Sequence, residues 1–265
     1  MNKQQLLRGL GLLALPLSMA LHAPSHAQDF PPKKSITMVV GFAAGGAADT
    51  GARIIAKKLG ENIGASVVID NRPGAGGNIG TVAAAKAPKD GYTLLLTISS
   101  SQAINPALYK NPGFDPVKDF VPLGMVGSVP NVLVVNPNFE ARNLDEFLRL
   151  IKANPGKYPY ASAGNGTLNH LLGEMLNSMA DLQLQHIPYK GVAPAMNDLM
   201  GGQIDLMCDQ TTNTTGQIEA KTIKAFAVTT PKRLTIPSLK DLPTLDESGL
   251  KGFEGTIWHA PYAPK

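Results

Sequence analysis

Few residues in this chain announce a chemistry outright. Cysteine occurs once, at Cys208, so no internal disulfide can form. There is no Gly-x-Ser-x-Gly elbow, no His-Glu-x-x-His, no Gly-Lys-Ser/Thr phosphate loop and no Cys/His cluster spaced for a metal, so no catalytic residue, metal or cofactor is expected. A nucleophile pair of Cys208 with His170 is conceivable, but Cys208 lies in an apolar strand pattern that suits inert core, which leaves a hydrolase as the weaker reading. After the N-terminal 27 residues, no stretch approaches the roughly 20 apolar residues of a membrane span. The formal net charge is +4, or +2 once Lys3 and Arg8 are set aside, and so small an excess gives no support to a nucleic acid or a membrane surface as partner.

Lys3 and Arg8 stand without an acid in residues 1–8, residues 9–21 are apolar, and Ser25 and Ala27 put small residues at the third-last and last positions before a cut after residue 27. This is the pattern of a secretory signal peptide. No cysteine sits at the cut, so a lipid anchor is not expected, and export without disulfides points to a bacterial periplasm. The 238 residues that remain suit two domains.

The rest of the chain is organised around residues 38–59. Ile36–Val40 is a short, almost unbroken apolar run, as in a parallel strand buried on both faces. Gly41, Phe42, Ala43, Ala44, Gly45 and Gly46 follow, and Ala52, Ile55, Ala56 and Leu59 then place one apolar stripe on a helix beginning near Asp49 or Thr50. A glycine turn between strand and helix can aim backbone N–H groups at a common point, where the helix end adds partial positive charge. A tight strand-to-helix turn with Asp49 as plain N-cap explains the same residues. Strands at 66–69 and Thr93–Ile98, with a small-residue helix within 76–87, continue a parallel sheet. Its carboxyl edge carries the 41–49 turn and the loop of Ser99, Ser100 and Ser101.

A second unit opens after Pro130 with a strand at 131–135. Asn143 followed by Glu146 forms a capping box for a helix from Leu144 to about residue 152. The first device then recurs. A strand at 158–162 leads into Ala163, Gly164, Asn165, Gly166 and Thr167, and a helix over 168–179 follows with Leu171, Leu172, Met175 and Met179 on one face. A strand at 184–187, the loop Pro188 to Gly191, a helix at 195–200 and a strand at 204–208 ending on Asp209 complete the set. Two such turns, neither with Lys or Arg, would clamp one anion between two helix ends.

The segments VGFAAGGAAD (40–49), DNRPGAGGNIG (70–80), KDGYTL (89–94), YASAGNG (160–166), PYKG (188–191), GGQID (201–205) and PTL (243–245), with His170 and Glu247, run in order through the whole exported part of the chain. In them the chain resembles the Bug/TctC family, the substrate-binding proteins of tripartite tricarboxylate transporters. The resemblance implies an α/β, two-lobed periplasmic binding protein of type II-like fold, each lobe a mostly parallel sheet flanked by helices, with crossing strands between the lobes. Residues 28–128 and 251–265 would form lobe 1 and residues 129–250 lobe 2. It also implies a monomer that closes on a small organic carboxylate and delivers it to membrane permease subunits. The family continues past WHAPYAP (258–264), so the chain is expected to lack a C-terminal part of lobe 1. A sensor that reports the same ligand to a membrane receptor needs the same clamp.

The ligand carboxylate is expected at Phe42, Ala44, Gly45, Gly46 and Asp49 on one side and at Ala163, Gly164, Asn165, Gly166 and Thr167 on the other. Asp49 is taken mainly as organiser of its loop, since a carboxylate repels a carboxylate unless water bridges them. His170, in the first turn of its helix, can donate to the ligand or simply hold the turn. Ser100, Ser101, Tyr189 and Asp209 are the candidates to read the ligand's far end. Asp209 is expected to face the cleft, where it would take a hydroxyl, an ammonium or a ring N–H, although a structural role fits it equally. Arg72 is read as bracing its loop.

Overall fold

The computed structural model describes residues 34–265, and the expected signal peptide at 1–27 lies outside them. In chain order the elements are β1 (Ile36–Val40), α1 (Ala47–Ile63), β2 (Val67–Asn71), α2 (Asn78–Ala85), β3 (Thr93–Ile98), α3 (Asn105–Leu108), β4 (Phe120–Pro122), β5 (Gly127–Val135) and α4 (Leu144–Ala153). They continue with β6 (Pro159–Ser162), α5 (Leu168–Ala180), β7 (Gln185–Pro188), α6 (Val192–Met200), β8 (Leu206–Gln210), α7 (Thr211–Glu219), β9 (Lys224–Val228) and β10 (Thr256–Pro264). Among the described residues no helix is long and apolar enough to cross a membrane.

The strands form one mixed sheet in the order β2-β1-β3-β10-β5-β8-β6-β7, with β4 on β10 and β9 on β5. Two parallel blocks, β2-β1-β3 and β8-β6-β7, are joined through β10 and β5, which run antiparallel to their neighbours. β5 is continuous across Pro130: Thr256 pairs with Pro130, and one residue on Asn131 pairs with Gln210. The same strand therefore spans the junction, pairing with β10 before Asn131 and with β8 from Asn131 on.

Alternation along the strands explains the cores. Leu133 and Val135 of β5 enter one cluster with Phe139, Phe147, Leu172, Leu176 and Phe226, while Val132 and Val134 enter another with Ala161, Leu199 and Met207 on the opposite face. Both faces are covered there, so the last four residues of β5, Val132 to Val135, read as a continuous apolar run. β1 repeats the arrangement, with Met38 and Val40 packed against Leu94 and Leu96 and Val39 against Leu95 and Phe120.

Several boundaries differ from expectation for local reasons. α1 starts at Ala47 with Gly46 as N-cap, so Asp49 lies in the first turn and does not cap the helix. α6 starts three residues early because Pro194 falls in the first turn, where a missing N–H costs nothing. Ser100–Ile104 is a π-helical turn running into α3, where a loop was expected. The buried stripe of α5 is Asn169, Leu172, Gly173 and Leu176, and Met179 is 38 % exposed. Asn143 caps α4 as its spacing predicts, its side chain accepting from the Glu146 N–H at 2.9 Å.

Candidate functional site

The turn after β1 is held from below. The Asp49 Oδ2 accepts from the Gly45 N–H at 3.0 Å and from Arg53 Nε at 2.9 Å, while Asn71 Nδ2 donates to Asp49 Oδ1 at 3.0 Å and to the Phe42 carbonyl at 3.1 Å. Burial by itself would raise the Asp49 pKa, but the hydrogen bonds from Arg53, Gly45 and Asn71, with the Arg53 charge, together hold it below its usual 3.8. Gly45 adopts φ +85°, and Gly41 lies so close to Gly77 that a Cβ would stand 2.6 Å from the Gly77 carbonyl oxygen. The first helical bond of the turn is Thr50 N–H to Gly46 O, at 2.9 Å. That leaves the N–H groups of Ala47 and Ala48 without partners inside the helix and the positive end of α1 behind them. The Gly45 N–H belongs to Asp49, so the available donors lie one to three residues further on than the glycines suggest.

The second turn is tied more heavily. Gly164 and Gly166 have φ of +130° and +80°. Thr167 caps α5, donates from Oγ1 to the Gly164 carbonyl at 2.7 Å and accepts from the His170 N–H. Ser162 Oγ accepts from the Gly164 N–H at 3.1 Å and meets His186 Nε2 at 2.6 Å; His170 Nδ1 accepts from the Gly166 N–H at 3.3 Å. Ser162 and His186 have the spacing of a nucleophile and its base, a pairing no sequence motif announced. Ser162 is fully buried and its oxygen already serves Gly164, so the pair shapes the turn.

The two turns meet. The Leu168 N–H donates to Ser100 Oγ at 3.1 Å, Tyr109 donates to the Asn165 carbonyl at 2.9 Å, and a Cβ on Gly191 would stand 2.9 Å from that of Ala43. Between them lies a cavity of about 20 Å³, walled by Phe42, Gly46, Ala47, Ala48, Ala163, Asn169 and Gln210 among others, with no Lys or Arg in its lining. It has room for about one water-sized group. Asn169 spends both amide hydrogens on the Cys208 carbonyl, at 2.6 Å, and on Asp209, so it offers only its oxygen, whereas Gln210 meets His259 through Oε1 and keeps its NH₂. The helix-end N–H groups of α1, the Gln210 amide and apolar walls can hold a small anion by hydrogen bonding without a counter-charge.

Of the residues singled out by sequence, Phe42, Gly46 and Ala163 line this cavity. Ala44 is exposed, Asn165 points to solvent, and Gly45, Gly164, Gly166 and Thr167 shape the backbone around it. The four expected readers of the far end are engaged elsewhere. Ser100 receives Leu168, Ser101 Oγ donates to the Gly76 carbonyl at 3.3 Å, and the Tyr189 hydroxyl donates to Asp198 at 2.6 Å. Asp209 is fully buried behind the wall, its carboxylate accepting from Asn169 at 3.0 Å and Asn213 at 2.9 Å, so it acts through those two carboxamides and not by direct contact. Burial pushes its pKa up to about 6. Arg72 pairs with Asp70 at 2.8 Å, and Cys208 is core, its thiol pushed up to about 12 by burial.

Asn169, Gln210 and Asn71 escaped the sequence reading. A signal for Asn169 was present: it is the polar member of a stripe whose other members, Leu172, Gly173 and Leu176, are core. Among the described residues no group of His, Cys, Asp and Glu is arranged to hold a metal ion.

The model of the tripartite tricarboxylate transporter family receptor matches residues 51–265. The protein BugT of Bordetella pertussis is 37 % identical over 266 residues, covering all of this chain and 80 % of BugT. The structure of the periplasmic binding protein BugD superposes with a TM-score of 0.84 at 49 % identity, covering 88 % of this chain and 77 % of BugD. MatC from Rhodopseudomonas palustris, solved with bound malate, gives 0.83 at 31 % identity over 89 % of this chain and 79 % of its own. Glycine turns, mixed sheet and sequence match converge, and the chain belongs to the Bug/TctC family of tripartite tricarboxylate transporter receptors, which are periplasmic solute-binding proteins.

Proposed function

We propose that this protein captures a small organic carboxylate in the periplasm and delivers it, as a monomer, to the permease subunits of a tripartite tricarboxylate-type transporter. The observation that carries the reading is the meeting of two glycine turns, each opening a helix, across a cavity that has hydrogen-bond donors and no basic side chain. In this proposal residues 34–128 with 251–265 form one lobe and 129–250 the other, and the ligand enters when they part. Its carboxylate takes the N–H groups of Ala47 and Ala48 with the turn at 163–167, and Asn169 and Gln210 read the remainder. A relative that holds malate supports the ligand class. Four or five hydrogen bonds to a charged group, at about 1.5 to 3 kcal/mol each, sum to roughly 6 to 15 kcal/mol, so the roughly 8 kcal/mol of micromolar affinity requires bonds near the strong end of that range once ordering is subtracted.

A thermal-shift screen against succinate, malate, aspartate, adipate, citrate and nicotinate tests the proposal. A true ligand at about 100 times its Kd adds about 2.7 kcal/mol, which for a chain of this size raises Tm by roughly 5 to 10 °C. A folded sample that no carboxylate in the panel stabilises would overturn the ligand class.

A further inference from the structure

Beneath the second glycine turn lie two imidazoles that the binding scheme does not use. His170 of α5 and His186 of β7 stack with ring centroids 4.2 Å apart and planes inclined by 28°. His170 Nδ1 accepts from the Gly166 N–H at 3.3 Å, and His186 Nε2 meets Ser162 Oγ, the hydroxyl that receives the Gly164 N–H. Both positive-φ glycines of the turn are thus fastened to an imidazole, one directly and one through a serine. Because Nδ1 of His170 is an acceptor, the neutral ring carries its proton on Nε2, which faces Glu174 at 4.0 Å.

We propose that His170 and His186 are positioning residues for the turn at 163–167, which keeps its ligand-binding shape only while both rings are neutral and loosens on acidification, releasing the bound carboxylate. The inference rests on the proposed carboxylate site. A proton on His170 Nδ1 replaces the acceptor of the Gly166 N–H with a second donor, and the two donors then repel. Charging both rings would stack two cations at 4.2 Å. The titratable groups facing the pair are Tyr160 from β6, Glu174 from α5 and, behind Tyr160, Cys208 from β8. Of these, Glu174 alone favours a charged ring, and its Oε1 already accepts from the Tyr160 hydroxyl at 2.5 Å. Burial outweighs it, holding His170 below the usual 6.5 and, with the neighbouring ring, His186 down to about 4. The pair is neutral at neutral pH and charges only in acid.

Asparagine at position 170 presents an amide oxygen close to where Nδ1 stands and does not titrate. Calorimetry with malate at about pH 7.5 and about pH 5 would compare the unaltered protein with H170N and H170A, alongside the intrinsic-rate-corrected hydrogen exchange of the Gly166 amide in the ligand-free proteins. H170N is expected to bind within about threefold of the unaltered protein at the higher pH and to lose distinctly less affinity at the lower one. H170A should be about three- to tenfold weaker at both, the effect of one lost hydrogen bond. Gly166 should lose protection in acid in the unaltered protein and keep it in H170N. An equal acid loss in H170N and the unaltered protein would assign the effect to malate or Asp209 and overturn the proposal, as would H170A binding normally at the higher pH. If no variant binds malate or any other carboxylate, the ligand reading has failed, and Gly166 protection decides the positioning role by itself: protection indifferent to pH and to H170A rejects it.

Discussion

Asp49 is 3 % exposed and gives its two oxygens to Gly45, Arg53 and Asn71, so its work is to fix the backbone of the first turn. D49A leaves the Gly45 N–H and one Asn71 donor unanswered and should destabilise by about 1 to 3 kcal/mol in urea denaturation while weakening ligand binding; a variant as stable as the unaltered protein would show the network to be idle. The sign with pH follows from its lowered pKa: the contribution is present above the usual 3.8 and is lost as pH falls through the folded value. Asp209 behaves in the opposite sense. Its folded pKa is raised to about 6, so its contribution is complete below 3.8 and disappears as pH rises through about 6. The Tm of D209N should therefore gain on the unaltered protein between about pH 4 and pH 6 and hold the gain above that; parallel Tm curves would mean that the carboxylate is not shifted. At this scale the sequence was legible where a residue acts on its own neighbours, as Asn143 does on Glu146. It was not legible where the partner is distant: nothing near Asp209 in the chain foretells Asn169, 40 positions away, which turns an expected cleft residue into a support behind the wall.

Glycines separate into two kinds at the level of the element, and only the structure tells them apart. Gly45 needs its positive φ but has space, since a Cβ there would meet the Ala193 Cβ at an ordinary 3.7 Å; Gly41 needs the absence of a side chain, because the Gly77 carbonyl stands 2.6 Å away. G45A should cost about 1 to 2 kcal/mol through backbone strain alone, whereas G41A must push the first turn away from Gly77 and should cost more. Denaturation midpoints of the two variants check the order, and G41A proving the milder would contradict it. The elements themselves were legible wherever a short apolar run was bounded by glycine or by a cap, as at β1, β3 and α4. β10 was not, because Pro261 and Pro264 argue against a strand inside a sheet; Pro261 is accommodated there by offering its carbonyl to the Leu123 N–H at 3.0 Å.

For the molecule as a whole, β5 and β10 connect the two parallel blocks, so any parting of the proposed lobes must bend those two strands. Trp258, the single tryptophan, lies on β10 opposite Ser128 of β5, where the bend would fall. A saturating change of tryptophan emission on adding a confirmed ligand is expected; emission that stays constant while calorimetry records binding would rule out bending at this point. Binding should also be only modestly sensitive to salt, weakening by less than about tenfold between low and physiological ionic strength, since no basic side chain lines the cavity. A loss of several orders of magnitude would reveal a cationic partner. The sheet order has a further consequence, for the timing of folding. β10 inserts between β3 and β5, yet it is made more than a hundred residues after both, so a growing chain holds its first parallel block with an open edge until residue 264 has been synthesised. Contacts of such sequence separation form late and slowly. Export and sheet closure are thereby compatible in one respect: the edge that β10 will occupy on β3 cannot be filled while the residues between β5 and β10 are still being made.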